Sequence, residues 1–495
     1  MTPLRSQCLS EQDLLAYEAV RQSPVTVLQV GEGNFLRGFV DWMLQQSRAQ
    51  GLFNGSVAVT QPRPGGKAKI ETLAAQDGLY TLVVRGLENG QPVERQEIIS
   101  VIREAFDPYG NWDKWESCAA SAELKFVVSN TTEAGLQYRP EPLNEGQPIQ
   151  SFPGKIAYLL HKRFEAFGGS PEAGLIFLPC ELLDRNGDEL KACVLQYSDD
   201  WGYSEEFKAW VVSSNRFLNS LVDRIVTGYP AEQAEGWFEA WGYEDHMLNS
   251  AEPYHLWAIE GEPELDELLP LRKAGLNVHW VNDLKPFQLR KVRILNGAHT
   301  LMTPLSLVLG LEQVREVMEH PELGRWIREA VEQEIIPSMP MDREELEAYA
   351  HDVYDRFLNP FIRHRLYDIA MNSISKFKVR LLPSLLHYET AGGRPPQRLV
   401  RGFAGLLRYY KVSQTADGGY AGTDLQGKAY TVRDDAEALA ALAEEWARPG
   451  QTVAQTAERL LSRAEVWGQD LSRWSGLADA LAAELAALEG AAVHE

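Results

Sequence analysis

Residues 25–43 constrain this chain more than any other stretch. Val25-Thr-Val-Leu-Gln-Val30 is apolar and rich in β-branched side chains, the composition of a buried strand. It runs straight into Gly31-Glu-Gly33-Asn-Phe-Leu-Arg37-Gly38, then into a helical pattern with Phe39, Val40, Trp42 and Met43 apolar. Strand, glycine-rich turn and helix in that order predict the opening unit of an open α/β sheet, with a dinucleotide pyrophosphate at the turn. Gly31 and Gly33 let the backbone turn tightly and approach phosphate oxygens. The spacing is G-x-G-x4-G and not G-x-G-x-x-G, so a plain tight turn is the competing reading. Arg37 belongs either on a phosphate or in solvent on the helix.

The second strand is expected at Ser56–Thr60. A dinucleotide fold usually ends this strand with an acid that binds the adenosine ribose. Here the end reads Gln61-Pro62-Arg63-Pro64-Gly65-Gly66-Lys67, with no acid. An arginine there suits the extra phosphate of NADP, so these residues alone leave NAD and NADP both open. Further strands are expected at 80–84, 96–101, 125–129, 173–178 and, as the last, 275–281. Asn89-Gly90 is a hairpin turn signal. Residues 11–22 read as a helix or an irregular lead-in, and the acidic, tryptophan-rich stretch 230–270 as an insertion or long irregular segment. Asn130-Thr131-Thr132-Glu133 sits where a strand's carboxyl end meets a cofactor, or caps a helix. Glu181 is a candidate for a cofactor or substrate hydroxyl. After about residue 286 the pattern turns helical. The fold expected is α/β: a Rossmann-like dinucleotide-binding domain over 1–285, then a mostly α-helical substrate domain over 286–495, with the site in the cleft between them.

The chemistry is expected at Lys291-Val-Arg-Ile-Leu-Asn296-Gly-Ala-His299. On a regular helix Lys291, His299 and Asn296 fall at roughly 0°, 80° and 140°, so one side can present all three. An amine, an imidazole and a carboxamide suit a carbonyl or carbinol: a lysine in a dry cleft exchanges a proton with oxygen, and the other two donate to an oxygen gaining charge. An ordinary helix with a surface lysine and a satisfied core histidine is the alternative. Asp223 could orient the lysine, or pair with Arg224. The basic cluster Arg363, His364, Lys376, Lys378 and Arg380 suits a substrate carboxylate; taken singly, each reads more readily as a helix-surface charge or an interdomain salt bridge.

The net charge of −22 sets the chain against nucleic acid and anionic membranes as partners. It also means that an anionic ligand needs locally positive groups. Cys8, Cys118, Cys180 and Cys193 show no C-x2-C pair, which fits reduced thiols in a cytoplasm. Residues 1–25 carry Glu11, Asp13 and Glu18 without an apolar core, so no secretory leader is expected. No run approaches the length of a membrane span. No H-E-x-x-H or comparable spacing occurs, so no metal is expected. A monomer or small homo-oligomer is anticipated.

KVRILNGAHT matches the K-x4-N-x2-H pattern of the mannitol dehydrogenase family, the polyol-specific long-chain dehydrogenases. The stretches VLQVGEGNFLRGFVDWM, SNTTEAG, LPCELLDRNGD, NSLVDRI, AEPYHLWAIEG and RFLNPFIRHRLYDIAMNSISKFKVRLLPSL resemble the family in order over most of the chain. The resemblance implies NAD as cofactor, held by Gly31, Gly33, Asn34, Phe35, Arg37, Asn130 and Thr131. It implies Lys291 as general acid/base, with Asn296, His299 and Asn186 on the reacting oxygen. Asp223, Arg224, Arg363, His364 and Lys376 are the expected substrate-binding side chains. The expected reaction is hydride transfer between NAD(H) and a hexonic acid, D-altronate to D-tagaturonate. Fructuronate or mannitol as substrate, or a catalytically silent nucleotide- or sugar-binding regulator, are the alternatives. Where the family often has an acid three residues before the lysine, this chain has Gln288.

Overall fold

The computed structural model describes residues 1–144 and 146–491. The chain forms two compact units, Met1–Arg85 with Pro92–Leu284, and Gly86–Gln91 with Lys285–Glu495.

The first unit is built on six strands: β1 (Val25–Val30), β2 (Ser56–Thr60), β3 (Ile102–Phe106), β4 (Phe126–Ser129), β5 (Ile176–Pro179) and β6 (Arg216–Phe217). They lie in the order β3-β2-β1-β4-β5-β6, every pair parallel. The expected Rossmann-type sheet is therefore present, and its order reverses between β1 and β4, where such sheets open a crevice for ligands. Side chains alternate across it. Val27, Val57, Val59 and Val128 share one core with Val40, Met43 and Leu44 of helix α1 (Val40–Ala49). Leu28, Val30, Ala58 and Val127 share the other with Ile156, Leu159 and Leu160 of α2 (Phe152–Ala166) and Leu190 and Val194 of α3 (Asn186–Asp200). With both faces covered, the strands read as near-continuous apolar runs.

Residues 230–270 are not irregular. Ala231–Trp241 is a helix, Asn249–Ala251 pairs with the Tyr80–Glu88 strand, and Leu256–Glu260 lies between Ser220–Asp223 and Val278–Val281. The aromatics that made this stretch look unusual are core fillers, with Trp257 fully buried.

The second unit is mostly helical. It opens with α4 (Lys285–Arg290), a π turn over Lys291–Leu295, and α5 (Asn296–Val308). Then follow α6 (Arg343–Phe357), α7 (Ser373–Arg380), α8 (Gln397–Tyr409) and α9 (Leu477–Ala491), among shorter helices. Two glycines let α8 lie close on α5: a Cβ on Gly405 would come 2.6 Å from that of Leu305, and one on Gly402 would strike Leu301. Strands do not end at 281. Val412–Gln414, Tyr420–Thr423 and Ala429–Val432 form an antiparallel meander. No described helix is long and apolar enough to cross a membrane.

Candidate active site

At the reversal point of the sheet, Gly31 follows β1 and donates its N–H to the Thr60 carbonyl at 2.8 Å. Its φ is +142°, and a Cβ would sit 3.0 Å from both the Asn130 carbonyl and the Leu36 side chain. Only glycine lets the ends of β1 and β4 approach this closely. Gly33 precedes a single helical turn, Asn34–Arg37, and a Cβ there would meet nothing within 4 Å. Tight backbone with open room in front of it fits the diphosphate of a dinucleotide.

Other side chains expected at the cofactor serve the loop itself. Arg37 is 2 % exposed. It donates through Nε to the Glu32 carbonyl (3.2 Å), through Nη2 to Asn34 Oδ1 (2.8 Å) and through Nη1 to the Met247 carbonyl, and lies over the Tyr80 ring. It braces the glycine turn from inside and does not reach a phosphate. Asn34 is committed through that bond, and its carbonyl accepts from Asn249. Phe35 stacks on Phe39 with ring centres 4.9 Å apart. Asn130 donates its N–H to Val30 (3.2 Å). Thr131 donates from N and Oγ1 to Glu181 at 3.0 and 3.1 Å, and Ser129 Oγ donates to the same carboxylate at 3.1 Å. Glu181 is thus a buried anchor for this turn and not a hydroxyl ligand. Burial raises its carboxyl, and those hydrogen bonds oppose the rise. Beside it Thr132 takes φ +73° and ψ 161°, a strained conformation for a β-branched residue. No helix cap forms there: Thr132 makes no side-chain capping bond.

Asn186 requires a correction of role. Its Nδ2 lies 3.0–3.1 Å from the carbonyls of Pro179, Glu181 and Ser220, and its Oδ1 accepts from Ser220 N–H at 2.9 Å. At 1 % exposure it staples the end of β5 to the next sheet, leaving no N–H for a substrate oxygen. Arg224 is likewise tied up, donating to the Glu252 and Gly38 carbonyls at 2.8 Å and lying 4.0 Å over the Trp42 ring. Asp223 closes its strand, buried.

The second unit offers the contrast. In the π turn the Asn296 N–H donates to the Lys291 carbonyl five residues back. A regular helix would leave the two side chains about 140° apart. The wider turn stacks Asn296 one turn beyond Lys291, a departure often found at functional sites. Both residues are half-buried. Among the described residues neither side chain is held by a hydrogen bond or ion pair. Ile294, Ala298, Leu301 and Leu305 fasten the segment into the core.

His299 stacks on Phe357 (ring centres 4.4 Å) with the His364 ring edge-on at 5.7 Å. Its Nε2 is sealed from solvent and has no partner among the described residues. Burial first, then the charges of His364, Arg356, Arg380 and Lys376, push the imidazole well below its ordinary 6.5, so it is neutral and carries one N–H to give. Arg380 donates to Thr300 Oγ1 (3.1 Å), and Lys376 to the Ile369 carbonyl (2.7 Å); each keeps further N–H groups. The structure thus gathers His364, Lys376 and Arg380 around His299 and adds Arg356, which nothing in the sequence pattern singled out. Arg363 goes elsewhere. It is exposed on the rim of a recess of about 600 Å³ lined with Arg365, Glu312, Lys428 and Tyr430. Among the described residues no three His, Cys, Asp or Glu side chains gather as metal ligands.

Residues 25–273 match the mannitol dehydrogenase Rossmann domain, and residues 283–489 the mannitol dehydrogenase C-terminal domain. The chain belongs to the mannitol dehydrogenase family. Its relatives include altronate oxidoreductase of Bacillus subtilis (strain 168), 42% identical over 95% of this chain and 94% of that protein. Altronate oxidoreductase of Escherichia coli (strain K12) is 39% identical over 94% and 95%. Among solved structures, D-sorbitol dehydrogenase in substrate-free form superposes with a TM-score of 0.75 at 20% identity, covering 96% of this chain and 94% of that one. Pseudomonas fluorescens mannitol 2-dehydrogenase, in ternary complex with NAD and D-mannitol, gives 0.60 at 20%, covering 98% and 97%. This member of the family therefore shares the fold of sugar-alcohol dehydrogenases over nearly its whole length.

Proposed function

We propose that this chain is an NAD-dependent oxidoreductase that interconverts D-tagaturonate and D-altronate. The observation that carries the reading is the ring of cations about a neutral His299, one helical turn beyond the uncommitted Asn296 and two beyond the uncommitted Lys291. A neutral polyol needs no such ring; a sugar carboxylate does. Relatives named altronate oxidoreductase, 39–42% identical over nearly the full length, support the same substrate pair.

The first unit holds the cofactor through the glycine turn and the Asn130-Thr131 turn; the second holds the substrate. When bound, NADH supplies hydride to the keto carbon. Protonated Lys291 gives its proton to the carbonyl oxygen as that oxygen gains charge, and the Asn296 amide donates a hydrogen bond to it. His299, neutral, contributes its single N–H. Lys376 and Arg380 bind the distal carboxylate, with His364 beside them. In the oxidative direction neutral Lys291 takes the hydroxyl proton. The free thiols at Cys8, Cys118, Cys180 and Cys193 suit a reducing cytoplasm. The working form is a monomer or small homo-oligomer, with neither nucleic acid nor membrane as partner.

The test is NADH oxidation, followed by absorbance, with tagaturonate, fructuronate, fructose and fructose 6-phosphate in parallel. Preferential turnover of tagaturonate is expected. A preference for fructose would discard the carboxylate site while keeping Lys291, and silence on all four would discard the enzyme reading.

A further inference from the structure

The strand that should end in a ribose-binding acid does not, and the structure shows where a carboxylate comes from instead. β2 ends at Thr60, and Gln61-Pro62-Arg63 follows. Gln61 is fully buried and donates from Nε2 to Asp107 Oδ1 at 2.6 Å. Asp107, just beyond β3, also accepts the Tyr109 N–H at 3.0 Å on that same oxygen. The nearest acid on a strand end is therefore committed to shaping its own turn.

Glu32, between the two glycines of the turn, reaches the vacant position. A Cβ built on Gly66 would come within 2.6 Å of Glu32 Oε1 and within 2.6 Å of Gln61 Cβ. The Glu32 carboxylate thus lies against the end of β2, where the missing acid would have been. Gly66 is the residue that leaves it room. Burial raises its carboxyl, while Lys69, Arg63 and Arg37 hold it down. Arg63 itself is exposed.

We propose that Glu32 is the cofactor-selecting residue, its carboxylate accepting from the 2′-hydroxyl of the adenosine ribose and repelling a 2′-phosphate. The role normally filled from the second strand is supplied by the glycine turn itself. Arg63 is the latent counterweight: with Glu32 neutralised, its guanidinium favours the phosphorylated cofactor. This rests on the reading that the first unit binds a dinucleotide.

Dissociation constants for NADH and NADPH, measured by nucleotide fluorescence on the full chain without substrate, test it, together with calorimetry of adenosine 2′,5′-bisphosphate against adenosine 5′-monophosphate. The wild type is expected to favour NADH. Glu32→Gln is expected to weaken NADH roughly tenfold or more, the scale of a hydrogen bond to a charged group, and to strengthen NADPH and the bisphosphate. Glu32→Asp is expected to keep part of the NADH preference. In Glu32→Gln with Arg63→Ala, the gain for the bisphosphate should disappear. An unchanged NADH-to-NADPH ratio in Glu32→Gln, with an unaltered melting midpoint, would overturn the proposal while leaving the dinucleotide reading in place. A wild type that binds neither nucleotide would bring down that reading, and this inference with it.

Discussion

Asn186 and Asn296 are the same residue type, both expected on the reacting oxygen, and the fold treats them in opposite ways. Asn186 spends its amide on four backbone groups; Asn296 stands half-buried with its amide uncommitted among the described residues. Arg37 and Arg224 follow the first pattern, Lys291 the second. A motif names the side chain, but chemistry needs an atom with hydrogen-bonding capacity left over. In the first unit the marked polar residues build the crevice. In the second they keep their donors unspent among the described residues.

The largest effect that would sharpen this contrast is at Lys291. Lys291→Ala is expected to lower kcat by about 10²–10⁴ in both directions, the range for a lost general acid/base, without moving the melting midpoint. Normal turnover would break the assignment. Asn186→Ala should do the reverse. Leaving several buried backbone groups without a partner costs about 2–4 kcal/mol, read as a shift in the denaturant midpoint; a fall in kcat with unchanged stability would instead return Asn186 to the chemistry. Lys376→Met or Arg380→Leu should raise KM for the sugar acid about tenfold, the loss expected for one charge-assisted hydrogen bond, and leave KM for a neutral ketose alone. Equal effects on both would show that these cations serve the fold.

The smallest effect is in pH. The His299 imidazole lies well below 6.5 in the fold, so below 6.5 the unfolded chain takes a proton that the folded chain refuses. Its contribution to stability is complete above 6.5 and declines as pH falls from there toward the folded value. His299→Gln should flatten the acid limb of the stability profile by at most about 1.4 kcal/mol per pH unit. An acid limb as steep as the wild type's would mean that His299 is protonated in the fold.

Much of the first unit was legible because burial on both faces writes itself as apolar runs, as in Val25–Val30 and Phe126–Ser129. The glycine turn was legible because Gly31 answers a steric demand. Where sequence failed, other forces were at work. The π turn depends on which carbonyl the Asn296 N–H chooses, and side-chain periodicity does not record that choice. The roles of Arg37 and Asn186 depend on partners as distant as Met247 and Ser220. The meander at 412–432 has strands of three or four residues, too short for alternation to register, although Asp417-Gly418 and Gln426-Gly427 stood at its turns. The cations about His299 come from α6 and α7, with the His364 ring added from the loop between them, so Arg356 gave no sign until the fold assembled them.

The π turn makes length as important as identity in the active segment, because it takes up one residue more than an ordinary turn between Lys291 and Asn296. Were the Asn296 N–H to return to the carbonyl four residues back with every residue retained, the two side chains would part to about 140°. Removal of one residue from 292–295 would instead let ordinary helix bring them within about 40° of each other. A protein could thus keep every motif residue and fail as a catalyst, or lose an intervening one and keep the geometry.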